Sequence, residues 1–308
     1  MVFKSIMNIN LFLEKSRSFF RYSVPEFLAH PLWIGHRHSP FLRFARLQAF
    51  YAFGEKHIYM PWIGELMLPI RQEDSGLTGN YYLGLHEFRD MAFAAHLLRP
   101  GDLFVDIGAN LGSYSLIASG VCSAFSIAFE PAPPTYLRLV KLLQVNNLSD
   151  LVCTRPCALT STDKATSSEA LWFSTDRDTI NSFVDSSYAG EKQVVPVSTL
   201  DKELSGKVPI LIKIDVEGFE FDVLSGAANI LSHESCFAVI IEGQADNVNA
   251  ALLSMGFVDV GYDPLLRLLE EVPHRATSNK IWIKPSQKLE IANRLSSAPE
   301  REVYGRHF

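Results

Sequence analysis

The stretch Leu103–Gly112, LFVDIGANLG, constrains this chain more than any other. A short apolar run ends in Asp106, a glycine-containing turn follows at once, and Ser113–Ser119 then reads as a helix. Such a run, closed by glycine, predicts a buried parallel strand. Strand, turn and helix together are the first unit of a doubly wound α/β domain, in which ligands sit at the carboxyl ends of the strands. Gly108 and Gly112 suit a turn whose backbone approaches a ligand or a neighbouring element closely. Asp106, and the turn residue Asn110 between the two glycines, put polar groups at its mouth.

The spacing of the turn departs from the G-x-G-x-x-G fingerprint that seats a pyrophosphate on a helix N-terminus. An acid at the mouth of the turn is awkward for a diphosphate and suits an ammonium or a sulfonium group. A second apolar run, Phe125–Phe129, ends in Glu130, where a carboxylate can accept hydrogen bonds from ribose hydroxyls. The pair Asp106 and Glu130 points to an adenosine ligand without phosphate, S-adenosylmethionine, with Gly108, Asn110 and Gly112 completing the cofactor-binding set. A tight turn with no ligand is the plainer alternative.

A third strand is expected over Leu151–Ala158, and a fourth over Pro209–Ile214, which is apolar but for Lys213. The fourth ends in Asp215-Val-Glu217-Gly218, and its following helix is expected to bury Phe221, Leu224, Ala228 and Leu231. A fifth strand, Phe237–Ile241, ends in Glu242. Phe257–Tyr262 and Lys280–Ile283 complete the sheet, with the last strand antiparallel. Between strands three and four, the polar stretch Leu159–Glu191 reads as a small β insertion. Upstream, residues 56–84 hold strand-like pieces and a polar turn at Asp74–Gly79, and Phe88–Leu98 is an amphipathic helix leading into the first strand.

The chain divides in this reading into a basic, aromatic arm (1–55), an α/β domain (56–285) and a polar tail expected to be frayed or loosely helical (286–308). The first 50 residues carry a net charge of +5 within a total of −6. The arm suits packing over the core or a dimer partner, with peripheral membrane contact as the lesser alternative. The negative total argues against nucleic acid as partner. Four cysteines without zinc-site spacing read as buried hydrophobes in a reducing compartment, and no metal is expected. No transmembrane run or secretory signal is seen, which makes the cytoplasm the default.

Four motifs in order, DIGANLGSYSLIAS from Asp106, AFEPAPPTYLRLVKLLQVNN from Ala128, VVPVSTLD from Val194 and LIKIDVEGFEFDVLSGA from Leu211, resemble the FkbM family of S-adenosylmethionine-dependent methyltransferases. The resemblance runs from about Gly84 to Pro285. It implies a Rossmann-like class I methyltransferase fold with a seven-stranded, mostly parallel sheet and helices on both faces. It also implies O-methylation of a hydroxyl on a sugar, glycan or secondary metabolite. In-line methyl transfer needs alignment and removal of the hydroxyl proton. Asp215 and Glu217 are the candidate catalytic acids, with structural helix capping as their alternative, and Glu242 is a weaker candidate. Lys213 is expected to pair with a neighbouring acid. The loop Ser174–Tyr188 is expected to shape the acceptor site. An NAD-dependent oxidoreductase disagrees with the glycine spacing. A base-methylating enzyme lacks its D/N-P-P-Y/F motif after strand four, and a non-catalytic binding module would not need intact motifs at both strand ends.

Overall fold

A computed structural model describes residues 23–71, 74, 76–162, 170–172, 192–216, 218–243, 245–272 and 279–308. Glu217 and the loop Ser174–Tyr188 lie outside these residues, as does the first part of the N-terminal arm. The apolar runs form the strands of one sheet: β1 (Leu103–Ile107), β2 (Phe125–Phe129), β3 (Val152–Arg155), β4 (Leu211–Ile214), β5 (Ala238–Glu242), β6 (Val258–Asp263), β7 (Leu268–Glu270) and β8 (Asn279–Ile283). Their order across the sheet is β7-β6-β8-β5-β4-β1-β2-β3. The pairs β3–β2, β2–β1, β1–β4 and β4–β5 are parallel, and β8 enters antiparallel between β5 and β6. Beyond the seven strands expected, β7 adds a short antiparallel edge strand to β6. The chain reverses direction across β1 and β4, so the switch point of the sheet lies at their carboxyl ends.

Both faces of the sheet are covered, which explains why its strands are nearly continuous hydrophobic runs. Alternate residues face opposite cores. Phe104, Leu211 and Ile240 belong to one, and Val105, Ile212 and Val239 to the other. On the first face lies the helix Phe88–Leu97, expected to be amphipathic. All its residues but Arg89 are buried, because it is enclosed by β6, by the turns that follow Ser115 and by the helix Lys288–Ser296.

That last helix bears out the helical alternative for the tail and excludes the frayed one. Ile291 and Leu295 are buried at one-turn spacing, and Val303 and Phe308 are buried in a closing hairpin. The polarity that suggested fraying is used in place. Arg294 Nη1 donates to Asp102 Oδ2 at 2.6 Å, and Arg301 Nη1 donates to the Val121 carbonyl at 2.8 Å.

Upstream of the sheet, His57–Pro61 and Met67–Arg71 form an antiparallel hairpin, and Gly76–Leu83 is a helix where a polar turn was expected. Six of its eight residues are buried, so tertiary burial overrides two glycines of poor helix propensity. The helices Val24–Ala29 and His38–Ala52 pack over it. Trp33 Nε1 donates to the Leu83 carbonyl at 2.7 Å, and the Arg43 guanidinium lies 4.1 Å above the Trp33 ring.

On the second face the helix after β4 is broken into Glu220–Ser225 and Ala228–Ser232. Gly226 sits at the break, where a Cβ would stand 2.0 Å from the Thr160 carbonyl oxygen. The break shifts the phase of the buried face. Phe221 and Ala228, expected inside, are exposed, while Val223, Leu224, Ala227, Ile230 and Leu231 are buried. The insertion between β3 and β4 contains the expected hairpin, Ala170–Trp172 against Lys192–Val194. Cys122, Cys157 and Cys236 are buried as expected, and Cys153 is exposed because β3 is the sheet's edge.

Candidate active site

The switch point is built from two adjacent strands in register, with Lys213 of β4 beside Asp106 of β1. Both lie on the face that carries Phe104 and Leu211, and the two-residue repeat brings Asp215 to the same side as Lys213. The Lys213 ammonium, 1 % exposed, lies 3.1 Å from Asp215 Oδ2, 3.3 Å from Asn279 Oδ1 and 5.4 Å from the Tyr114 ring centroid. Burial works against its charge, but Asp215, Glu87 and Asp90 outweigh burial and hold its pKa above the ordinary value. Burial likewise raises the pKa of Asp215. Lys213 and a hydrogen bond with Glu242 override it and hold Asp215 below its ordinary range, as a carboxylate.

The turn after β1 is shaped by the protein's own packing. Gly108 has φ +74°, and a Cβ there would stand 1.8 Å from the Asp215 carbonyl oxygen. Gly112, at φ +86°, would drive a Cβ to 2.5 Å from Leu139 Cδ1. Asn110 between them is also left-handed, at φ 50°. The backbone N–H groups of the turn are used internally. Gly108 and Ala109 donate to the Phe129 carbonyl at 3.0 and 2.9 Å, and Gly112 donates to Ala109 at 2.8 Å. Asn110 donates to Glu130 Oε2 at 2.9 Å. A diphosphate would find these donors occupied, the physical counterpart of the glycine spacing noted in the sequence.

Asp106 begins the next helix. Its Oδ2 accepts from the Ser115 amide at 3.1 Å and the Ser115 hydroxyl at 2.7 Å. Its Oδ1 has no hydrogen-bond partner among the described residues. Burial pushes its pKa up to about 6, against the pull of Ser115 and Lys213. Glu130 lies behind the turn, with Oε1 accepting from the Ala132 amide at 2.8 Å as Oε2 does from Asn110. Burial raises its pKa to about 7 despite those two bonds.

Asp106, Gly108, Asn110 and Asp215 thus line one cavity together with Lys213, while Gly112 and Glu130 stand outside its lining. Glu242 reaches the cluster through Asp215. Several participants were not read from the sequence. Glu87, immediately before the helix Phe88–Leu97, lines the cavity and accepts from the Tyr114 hydroxyl at 2.8 Å and from Asn279 Nδ2 at 2.8 Å. Asp90, 4 % exposed, also accepts from Asn279. Asn80 donates to Ser113 Oγ at 2.9 Å and so fastens the helix Gly76–Leu83 to the turn. Lys213 was the available signal for this cluster, since a lysine within a buried strand demands carboxylate partners.

The chemistry of this wall is anionic. Glu87, Asp106 and Asp215 face the cavity against one lysine and His86, which is paired with Glu26, with no arginine in the lining among the described residues. Such a set of acceptors fits a ligand that carries an ammonium and a sulfonium.

The chain is similar to several known methyltransferases. A hexuronic acid methyltransferase of Haloferax volcanii is 32% identical over 143 residues, which cover 46% of this chain and 55% of the relative. The chain therefore spans about half the length of the curated relative it matches. Among solved structures, methyltransferase FkbM from Methylobacillus flagellatus aligns at 15% identity and a TM-score of 0.39, over 68% of this chain and 55% of the other. Precorrin-6y C5,15-methyltransferase from Geobacter metallireducens aligns at 14% identity and a TM-score of 0.38, over 65% and 90% of the two chains. The model of the methyltransferase FkbM domain matches residues 106–259, from the acid that ends β1 into β6, and the chain belongs to that family of methyltransferases.

Proposed function

We propose that this chain transfers a methyl group from S-adenosylmethionine to a hydroxyl of a sugar, as a free small molecule or within a glycan. One observation carries the choice of donor. The amides of Gly108, Ala109, Asn110 and Gly112 are satisfied within the protein, while Asp106 and Asp215 present carboxylates to the same cavity. That arrangement favours a cationic ligand over a dinucleotide. The sugar follows from the named activity of the Haloferax relative.

When bound, S-adenosylmethionine would supply a methyl carbon activated by its sulfonium, to which the hydroxyl oxygen bonds as the carbon–sulfur bond breaks and the sulfur leaves as a neutral thioether. The residues of the chain hold and orient. Asp106 offers Oδ1 to an ammonium, with Oδ2 fixed by Ser115. Glu130, outside the cavity lining, stays assigned to the ribose hydroxyls from the sequence, and each of its carboxylate oxygens that accepts one amide retains a second lone pair for them. Gly108, Asn110 and Gly112 set the path of the turn between them.

Asp215, whose side chain is 37% exposed, accepts the hydrogen bond of the acceptor hydroxyl. Its depressed pKa makes it a weak proton sink. Its main contribution is alignment, and the proton passes to solvent water as the oxygen becomes acidic on methylation. Glu217 joins Asp215 as a candidate from the sequence alone, and the loop Ser174–Tyr188 stays assigned to the acceptor on the same ground.

The test is transfer of labelled methyl from S-adenosylmethionine to a panel of neutral and acidic sugars, with the product identified by mass. A methyl ether on a sugar oxygen is the expected product. Label on a nitrogen or carbon atom, or none on any sugar while another acceptor class is labelled, contradicts the reading.

A further inference from the structure

The hairpin before the sheet has an inner and an outer face. Ile58, Met60, Leu68 and Ile70 point inward and are buried. The alternate residues His57, Tyr59 and Arg71 line a cavity of about 170 Å³, with His57 paired directly opposite Arg71 across the ladder. The opposite wall is the helix Pro133–Val145, which contributes Leu137, Arg138 and Lys141, residues at helical spacings of three and four. Leu77 and Leu111 line both this cavity and the candidate active site, so the two adjoin.

The charges here are of one sign. No carboxylate lines the cavity among the described residues, in a chain whose total is −6. Arg138 is held by Asp74 beneath it, with Nη2 2.6 Å and 2.7 Å from the two carboxylate oxygens. Its Nη1 is sealed from solvent and has no hydrogen-bond partner among the described residues. A solvated surface arginine would not be in that state, since a buried donor without an acceptor costs free energy. The side chains of Arg71 and Lys141 make no ion pair or hydrogen bond within the described residues. Tyr59, 50% exposed, and Leu137, 67% exposed, add apolar surface at the rim. The cavity is small beside the ~300 Å³ or more of a pocket that encloses a whole ligand, so it suits one group of a larger molecule.

We propose that this cleft is a subsite for an anionic group of the methyl acceptor, a phosphate or a carboxylate carried on the sugar, gripped by Arg71, Arg138 and Lys141 with Tyr59 against the sugar ring. The proposal rests on the methyl-transfer reading and narrows its substrate class from sugars to acidic sugars. Guanidinium groups match planar or tetrahedral oxyanions through paired N–H donors.

Calorimetric titration of the full chain with D-glucose 1-phosphate, D-glucuronate and D-glucose tests it, with S-adenosylmethionine binding measured separately. At least one acidic sugar should bind about tenfold or more tightly than D-glucose, and added salt should weaken it. Preference for the phosphate ester or for the uronate identifies the group. R71Q and K141Q should each raise the dissociation constant of the preferred sugar by about three- to tenfold, with the melting temperature unchanged. Equal binding of all three sugars, or wild-type affinity in both variants, overturns the proposal. Failure of S-adenosylmethionine to bind would remove the donor reading alone, because the sugar comparison reads the cleft without it.

Discussion

Two charged regions adjoin in this protein and are built in opposite ways. At the switch point, Lys213 is surrounded by Asp215, Asn279, Glu87 and Asp90, and its charge is matched before any ligand arrives. In the neighbouring cleft, Arg71 and Lys141 have no partners and Arg138 keeps one donor unsatisfied, among the described residues. A buried lysine already matched by acids fixes geometry, whereas cations left open select for an oxyanion. The difference teaches that charge at a site must be read together with what already satisfies it. Asp106 and Glu130 both carry buried carboxylates, yet Asp106 alone keeps an oxygen without a hydrogen bond within the described residues.

The largest effect that would break this contrast is loss of the central cation. Lys213→Met should cost about 3–5 kcal/mol of stability at neutral pH, the usual penalty for stranding a buried charge. Without the lysine, the clustered carboxyls hold their protons more tightly in the folded than in the unfolded state. The loss should therefore shrink as pH falls, and melting curves between pH 8 and pH 5 would show it. A variant equally destabilised at both ends would mean that Lys213 contributes packing rather than charge.

Next in size is Gly108→Ala, which sets a methyl against the Asp215 carbonyl at a positive φ. Overpacking and backbone strain together should cost about 2–4 kcal/mol in a chemical denaturation curve. An unaltered midpoint would show that the turn relaxes freely.

Asp215→Asn should lower turnover by roughly 10²-fold if the acid aligns the acceptor. Some stability should be lost too, because Lys213 loses its nearest counter-charge. Rate and melting temperature on the same variant separate the roles: full turnover with reduced stability would leave Asp215 as a partner of Lys213 only.

The smallest effect is in pH. Asp106 and Glu130 have folded pKa values raised to about 6 and about 7. Such groups bind protons more tightly in the native state, so they destabilise the fold at high pH, and that penalty is relieved as pH falls through about 7 and then about 6. Donor affinity should move the other way, weakening by about tenfold between pH 8 and pH 5.5 as the carboxylates are neutralised. Parallel loss of affinity and stability would contradict this assignment.

Much of the sheet was legible because buried parallel strands write themselves as short apolar runs, and because β1, β2, β4 and β5 each end within one residue of an acid. The helix Gly76–Leu83 was not, since its glycines favour a turn and only burial makes it helical. The docking of the C-terminal segment was hidden by its polar residues, since Arg294 and Arg301 find their partners Asp102 and Val121 far away in the chain. The site divides likewise. Asp106 and Asp215 stand at strand ends, where topology gives them away. Glu87 and Asn279 come from opposite ends of the domain and meet only in the fold. Lys213 showed that carboxylates must be near without showing which.

The central claim is that the switch point accepts a sulfonium-bearing nucleoside and refuses a dinucleotide, and calorimetric titration of the full chain with S-adenosylmethionine and with NAD at pH 8 tests it most directly. The account predicts saturable binding of S-adenosylmethionine, weakened about tenfold or more by Glu130→Gln, and no saturation with NAD. Saturable binding of NAD, or none of S-adenosylmethionine by the folded protein, would contradict it.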